Sequence, residues 1–329
     1  MKKPKILVVG SLNMDLTART EIFPNSGETV SGKAFSTAAG GKGANQAVQC
    51  ARLGADVTMI GKLGKDNSGD ALYKLINSEN INTEHMLFDE NISTGTAIII
   101  LEEKEGQDTK NRILIIPGTN CAIKKEEISF LKEEIKNYDM VILQLEINME
   151  INELVAKYAF EAGVPVMLNS APSAPLSKEL LSHLTYISPN EHEAKDITGV
   201  EITYDGDNIN MDSVKKACEA LRSKGIKNAL ITLGGSGAAL LTDEGFYHAP
   251  CVKGLNVVDP TAAGDSFVGA FCTAVCAGFS KEDTLRFANH VAALTVCGLG
   301  AMPSLPTLNK VEEFMISRGE ELIDTAVLH

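Results

Sequence analysis

Short apolar runs alternate along the chain with stretches whose apolar residues recur at helical spacing. Ile6 to Val9, Val57 to Ile60, Met140 to Leu145, Val164 to Leu168, Tyr186 to Ser188 and Ala229 to Leu233 read as buried strands. Gly43 to Leu53 sets Ala44, Ala47, Val48 and Ala51 at the spacing of an amphipathic helix. Asp70 to Ile76, Glu153 to Ala162, Met211 to Lys224, Ser266 to Ala277 and Lys281 to Cys297 read as further helices. This alternation predicts an α/β fold, a mostly parallel sheet with helices on both faces.

Two stretches break the rhythm. Leu16 to Ala39 carries the turn signals Pro24-Asn25-Ser26-Gly27 and Ser31-Gly32 and no helical period. Thr94 to Pro117 has two β-rich runs, Thr96 to Leu101 and Arg112 to Ile116, around the polar turn Glu105-Gly106-Gln107-Asp108. Both read as extra antiparallel strands that form a small β lid, residues 16–39 and 94–117, over the carboxyl ends of the main sheet, where open α/β sheets bind ligands. With no internal repeat, low-complexity segment or interdomain linker, residues 1–329 read as one α/β domain with this lid.

Composition narrows the function classes. With 44% hydrophobic and 22% charged residues, the chain is of ordinary globular type. Its net charge of -13 is spread without a basic block, which disfavours nucleic acid as a partner. No apolar run approaches the roughly 20 residues of a membrane helix. Met1 to Lys5 leads straight into Ile6 to Val9, too short for a signal peptide's apolar region. The expected location is therefore the cytoplasm. The seven cysteines have no regular spacing, and Cys272 and Cys276 fall one helical turn apart in an apolar segment, so reduced buried thiols are expected. The six scattered histidines give no zinc-binding pattern.

Five segments carry candidate chemistry. In Asp259-Pro260-Thr261-Ala262-Ala263-Gly264-Asp265-Ser266-Phe267 a tight turn of small residues opens an apolar helix. Backbone amides of Ala262, Ala263 and Gly264 at such a start form an anion site. Asp265 in the first turn is either a helix cap or a base that takes a proton from an attacking hydroxyl. Gly40-Gly41-Lys42-Gly43-Ala44-Asn45 opens another helix. It lacks the pattern of a phosphate-binding Walker loop and suits a polyhydroxyl ligand, or is a plain tight turn. Gly10-Ser11-Leu12-Asn13-Met14-Asp15 follows the first strand, with Asn13 and Asp15 on one side of it; both suit sugar hydroxyls, or an Asx turn. Ser188-Pro189-Asn190-Glu191-His192-Glu193 and Thr232-Leu233-Gly234-Gly235-Ser236-Gly237 each follow a strand and offer groups for a nucleotide's phosphates.

In this order the segments resemble the ribokinase branch of the phosphofructokinase-B family of carbohydrate kinases. One family signature region matches Ala39 to Ala47 through Gly61 to Gly69, and the second matches Asp259 to Phe267. Gln144-Leu145-Glu146, Asn169-Ser170-Ala171-Pro172 and Ser188-Pro189-Asn190-Glu191 lie between them. The resemblance implies ATP-dependent phosphorylation of a sugar, D-ribose at O5 in the first place. Deoxyribose or another sugar is the nearest alternative, and a nucleoside kinase or a catalytically dead sugar sensor lie further off. By resemblance Asp265 is the general base, and the amides of Ala262 to Asp265 form the anion hole. Asn13, Met14, Asp15, Gly41, Lys42, Gly43, Ala44, Asn45 and Glu146 match the sugar site. Asn190, the turn Thr232, Leu233, Gly234, Gly235, Ser236 and Gly237, and Asn289 match the ATP site together with Gly264 and Asp265. Glu193 is associated with magnesium. Asp259, Thr261, Thr295, Gly298, Gly300 and Ser304 match a site for a monovalent cation, potassium. A homodimer paired through the lid is implied as well. The sequence departs from the family at Pro260, Ala263 and Asn289, where threonine, glycine and histidine are common. The acidic stretch Glu201 to Asn210 has no assigned role.

Overall fold

In the computed structural model, which describes residues 2–104 and 110–329, an eight-stranded sheet forms the centre. Its order is Phe246–Ala249, Ala238–Leu241, Asn228–Thr232, Tyr186–Ser188, Val166–Asn169, Met140–Gln144, Lys5–Val9 and Asp56–Ile60. The six strands from Asn228–Thr232 to Asp56–Ile60 are parallel, and the last two at the other edge are antiparallel. The apolar runs alternate between two cores, as strand geometry requires. Ile6, Val8, Met140 and Ile142 enter one core, and Leu7, Val9, Val141 and Leu143 enter the other. The helices Lys42–Arg52, Ala263–Cys276 and Lys281–Thr295 supply buried residues to the first core, and Met149–Glu161 and Met211–Arg222 to the second. Every predicted strand and helix is present, within a few residues of its predicted ends. Among the described residues no helix is long and apolar enough to cross a membrane.

The two irregular stretches do pair, in a four-stranded sheet ordered Gly32–Gly40, Asn13–Thr20, Gly95–Glu102 and Lys110–Ile116. One feature corrects the sequence reading: the central pair, Asn13–Thr20 with Gly95–Glu102, is parallel, and only the flanking pairs are antiparallel. Alternation along a strand reports its faces, and the direction of its partner leaves no local trace. The turn Glu105 to Asp108 lies outside the described residues. The stretch without a role, Glu201 to Asn210, contains a two-stranded hairpin, Tyr204–Asp205 with Asn208–Ile209.

Candidate active site

Chain direction reverses at the first strand. From Lys5–Val9 the chain steps outward to Asp56–Ile60 on one side, and later builds Met140–Gln144, Val166–Asn169 and Tyr186–Ser188 on the other. Connections that leave in opposite directions open a crevice at the carboxyl ends of the strands. Ser11 and Glu146 flank that crevice. Ser11 Oγ donates to Glu146 Oε2 at 2.6 Å, and the Lys42 amide donates to the same oxygen at 3.0 Å. The Gly43 amide donates to Ser11 Oγ at 3.2 Å and the Ala44 amide to the Ser11 carbonyl at 2.9 Å. The glycine-rich turn is thereby pressed against the loop after the first strand. Gly41 has φ +91°, and a Cβ there would lie 2.7 Å from the Asn13 nitrogen, so only glycine fits.

Asn13 and Asp15 share one face of the strand Asn13–Thr20, while Met14 and Ala44 pack into the core. Asn13 Oδ1 accepts from Asn120 Nδ2 at 2.7 Å, and Asn120 also brackets the backbone of Leu12, at 2.9 Å to its nitrogen and 3.1 Å to its oxygen. Asn120 escaped the sequence reading. Burial pushes the Asp15 carboxyl up to about 7, helped by the charges of Glu146 and Asp265. Burial works against the charge of Lys42, but Asp265, Glu146 and Glu193 outweigh it and hold the ammonium above the usual lysine value.

Asp265 sits buried in the first turn of Ala263–Cys276. Its carboxylate does not cap that helix. Asn45 Nδ2 donates to Oδ2 at 2.9 Å and Gln46 Nε2 donates to Oδ1 at 3.0 Å. Asn45, expected to face a sugar, thus gives its amide to Asp265, and Gln46 is a second contact that sequence patterning did not single out. Burial raises the Asp265 carboxyl; Lys42, Asn45 and Gln46 oppose the rise.

The turn before this helix aims amides at one place. Ala262 is left-handed, with φ 62°, at a cost of about 1–2 kcal/mol for an L-residue. The expected trio of free amides exchanges one member, Asp265 standing in for Ala263. The Ala263 amide donates to the Pro260 carbonyl at 3.2 Å, whereas those of Ala262, Gly264 and Asp265 meet no acceptor among the described residues. Unpaired amides at a helix start, with the helix dipole behind them, attract anions.

A cavity of about 670 Å³ runs from Lys42 and Asp265 past Asn190 and Glu193 to the Gly234–Gly237 turn and Asn289. Asn190 and Glu193 cap the helix Glu191–Thr198 reciprocally, at 2.9 and 3.0 Å. Burial lifts the Glu193 carboxyl above its usual range. Thr232, Gly234, Gly235 and Gly237 line the cavity; Leu233 packs in the core, and Ser236 is not on the wall. Asn289 Nδ2 donates to the carbonyls of Ala249 and Pro250, both at 3.0 Å.

Asp259 ties two loops together. Its Oδ1 accepts from the Thr261 amide at 2.9 Å and hydroxyl at 2.6 Å, and its Oδ2 accepts from the Gly300 amide at 2.9 Å. Burial alone would raise this carboxyl, but the bonds from Thr261 and Gly300 hold it below the usual range. Gly298 is pressed against Ser304, while the hydroxyls of Thr295 and Ser304 donate to Val291 and Ala301 carbonyls.

The chain is similar to known proteins over nearly its full length. The pfkB family carbohydrate kinase model matches residues 3–308. Ribokinase of Bacillus subtilis (strain 168) is 39% identical over 310 residues, covering 94% of this chain and 99% of its own. Ribokinase of Schizosaccharomyces pombe is 38% identical over 314 residues, covering 93% and 96%. The solved structure of Arabidopsis thaliana ribokinase complexed with ribose and ATP matches with a TM-score of 0.86 at 33% identity, over 96% of this chain and 99% of that one. A buried carboxylate beside free helix-start amides, set between a polar crevice and a long cavity, thus stands on a chain that belongs to the pfkB family of carbohydrate kinases.

Proposed function

We propose that this protein transfers the γ-phosphoryl group of ATP to O5 of D-ribose. The observation that carries the reading is Asp265, buried beside three unpaired amides at the junction of crevice and cavity. A carboxylate there would repel a bound phosphate, so its use lies in accepting a proton. The crevice groups Asn13, Asp15, Lys42 and Glu146 suit a polyhydroxyl substrate, and the Arabidopsis relative binds ribose and ATP in the same fold. The cavity takes the nucleotide, with Asn190, the Thr232 to Gly237 turn and Asn289 along it.

In the reaction, the sugar's O5–H gives its proton to Asp265 while O5 attacks the γ-phosphorus. The O5–P bond forms, the bond from phosphorus to the β,γ-bridging oxygen breaks, and ADP leaves. Charge on the transferring oxygens meets the amides of Ala262, Gly264 and Asp265, with Lys42 adding a positive charge.

Two ions fit the donor atoms present. Among the described residues no cluster of acidic, histidine and cysteine side chains could hold a metal by itself, which suits magnesium carried mainly by the nucleotide's phosphates. Glu193 Oε2 is taken by the Asn190 amide, and its other oxygen would serve that ion, which when bound shields phosphate charge. Asp259, with the backbone oxygens of Thr295, Gly298 and Gly300 and the hydroxyls of Thr261 and Ser304, is an all-oxygen set suited to potassium. A bound cation there would fix the loops that carry the anion hole. The pairing of two lids into a homodimer is part of the same proposal. So is the division into one α/β domain with a lid, and a cytoplasmic location fits the seven unpaired cysteines.

The test is Asp265→Asn. Turnover should fall by about 10²–10⁴-fold, with the ribose dissociation constant, read by calorimetry, changed by no more than a few-fold. Near wild-type turnover would remove Asp265 as the base.

A further inference from the structure

Behind Asp265 lies a file of side-chain amides that a proton acceptor does not by itself require. Gln46 is fully buried. Its Nε2 donates both to Asp265 Oδ1, at 3.0 Å, and to Asn169 Oδ1, at 3.2 Å. Its Oε1 accepts from Gln144 Nε2 at 2.8 Å. Asn169 in turn donates through Nδ2 to the backbone carbonyl of Ser188 at 3.0 Å. A backbone carbonyl can only accept, so the polarity of the whole file is set at its far end. Asn169 must turn its nitrogen to Ser188 and its oxygen to Gln46, and Gln46 must then turn its nitrogen to Asp265. Gln144 agrees with the same orientation from the other side, giving its amide nitrogen to the Gln46 oxygen. Its backbone is anchored, because Asn152 Nδ2 donates to its backbone carbonyl at 2.7 Å. It is also hemmed in: a Cβ on Gly10 would fall 1.9 Å from Gln144 Oε1.

We infer that Gln46 is a positioning residue, held in one orientation by Asn169 and Gln144, that keeps the Asp265 carboxylate ionised and aimed at the acceptor hydroxyl. The inference rests on the reading of Asp265 as the base. With Asn45 on Oδ2 and Gln46 on Oδ1, each carboxylate oxygen holds one amide donor and keeps a lone pair for the incoming proton. Donors to the charged form favour it, which a buried carboxylate needs to work as a base near neutral pH. A flipped Gln46 would present its oxygen to the carboxylate and do the opposite.

The experiment is kcat as a function of pH for the wild type, Gln46→Met, Gln144→Met and the double variant, with ribose binding and thermal unfolding measured alongside. Methionine keeps roughly the bulk and removes the amide. Gln46→Met should lower kcat and move its acid limb up by on the order of one pH unit, leaving ribose affinity nearly unchanged. Gln144→Met, which does not touch Asp265, should move the limb the same way by less. The double variant should lose no more than Gln46→Met, since Gln144 acts through Gln46. A wild-type limb retained in folded Gln46→Met, or a loss equal at every pH, overturns the inference. Should Gln46→Met not fold, an unshifted limb in Gln144→Met overturns it equally. A wild type that phosphorylates no sugar would instead defeat the functional reading beneath it.

Discussion

Asp265, Glu146 and Glu193 act on the charge of Lys42, and Asp15 feels two of the same carboxylates. Asp15 lies at about 7 because burial and the neighbouring charges of Glu146 and Asp265 all disfavour ionisation. As a carboxylate it can accept from two sugar hydroxyls, so ribose should select the ionised form and release a proton on binding near neutrality. KM for ribose should therefore fall as pH rises from 6 to 8, by up to about tenfold, and Asp15→Asn should flatten the trend. A flat wild-type KM would exclude this coupling. For folding stability the sign is opposite. Between the ordinary value of 3.8 and about 7 the folded state holds a proton that the unfolded state lacks. This carboxyl's stabilising contribution is thus full below 3.8 and is lost as pH rises through 7. Which side chains the sequence discloses depends on how local their chemistry is. Asp265 and Lys42 sit in turns whose small residues announce close backbone approach. Gln46, Asn120 and Ser11 act through partners 219, 107 and 135 residues away, so their roles stay hidden even where, as for Gln46 and Ser11, the surrounding segment is itself a candidate.

Three helices start earlier than apolar periodicity places them, whereas those at Met211 and Lys281 start as expected, and the reason is physical. The helices predicted from Ser266, Glu153 and Asp70 begin at Ala263, Met149 and Asn67. Apolar periodicity marks the buried middle of a helix, whereas first turns are built from glycine, polar caps and acidic residues. Asp66, for example, caps Asn67–Ser78 by accepting from the Gly69 amide at 2.8 Å. The antiparallel edge Ala238–Leu241 with Phe246–Ala249 was likewise not predicted. The hairpin in the unassigned acidic stretch places the Tyr204 hydroxyl on Glu191, at the cavity wall. The loops around Asp259 and Gly300 carry their own expectation. At fixed ionic strength turnover should rise several-fold in potassium over sodium or a bulky organic cation, and Asp259→Ala should abolish the difference. Equal rates in all three salts would rule out a cation role. Asp259→Ala should also weaken the loop itself, since three hydrogen bonds end on that carboxylate.

The fold class and the two-faced sheet follow from periodicity, and a second small sheet from the two stretches that break it, but strand order does not, because register and neighbours are set by contacts across the whole chain. The four-stranded sheet, proposed as a lid, is where the molecule leaves apolar surface uncovered. Lys110–Ile116 is exposed along its length, with Ile113, Leu114, Ile115 and Ile116 among the exposed large hydrophobics and Phe35 across the sheet. A small sheet of this kind calls for a covering surface, and a second copy's lid is the proposed one. Light scattering should find a dimer in the wild type and a monomer in an Ile113→Asp, Leu114→Asp variant; a wild type monomeric at all working concentrations would refute the dimer and leave the lid intact. The most direct test of the proposed reaction is the product itself. With ATP, magnesium and potassium, the protein should convert D-ribose to ribose 5-phosphate with one ADP formed per ester, seen by phosphorus NMR and a coupled ADP assay, and with a higher kcat/KM than for deoxyribose, fructose 6-phosphate or adenosine. A higher kcat/KM for any of those three, or no ADP release with any sugar, would contradict it.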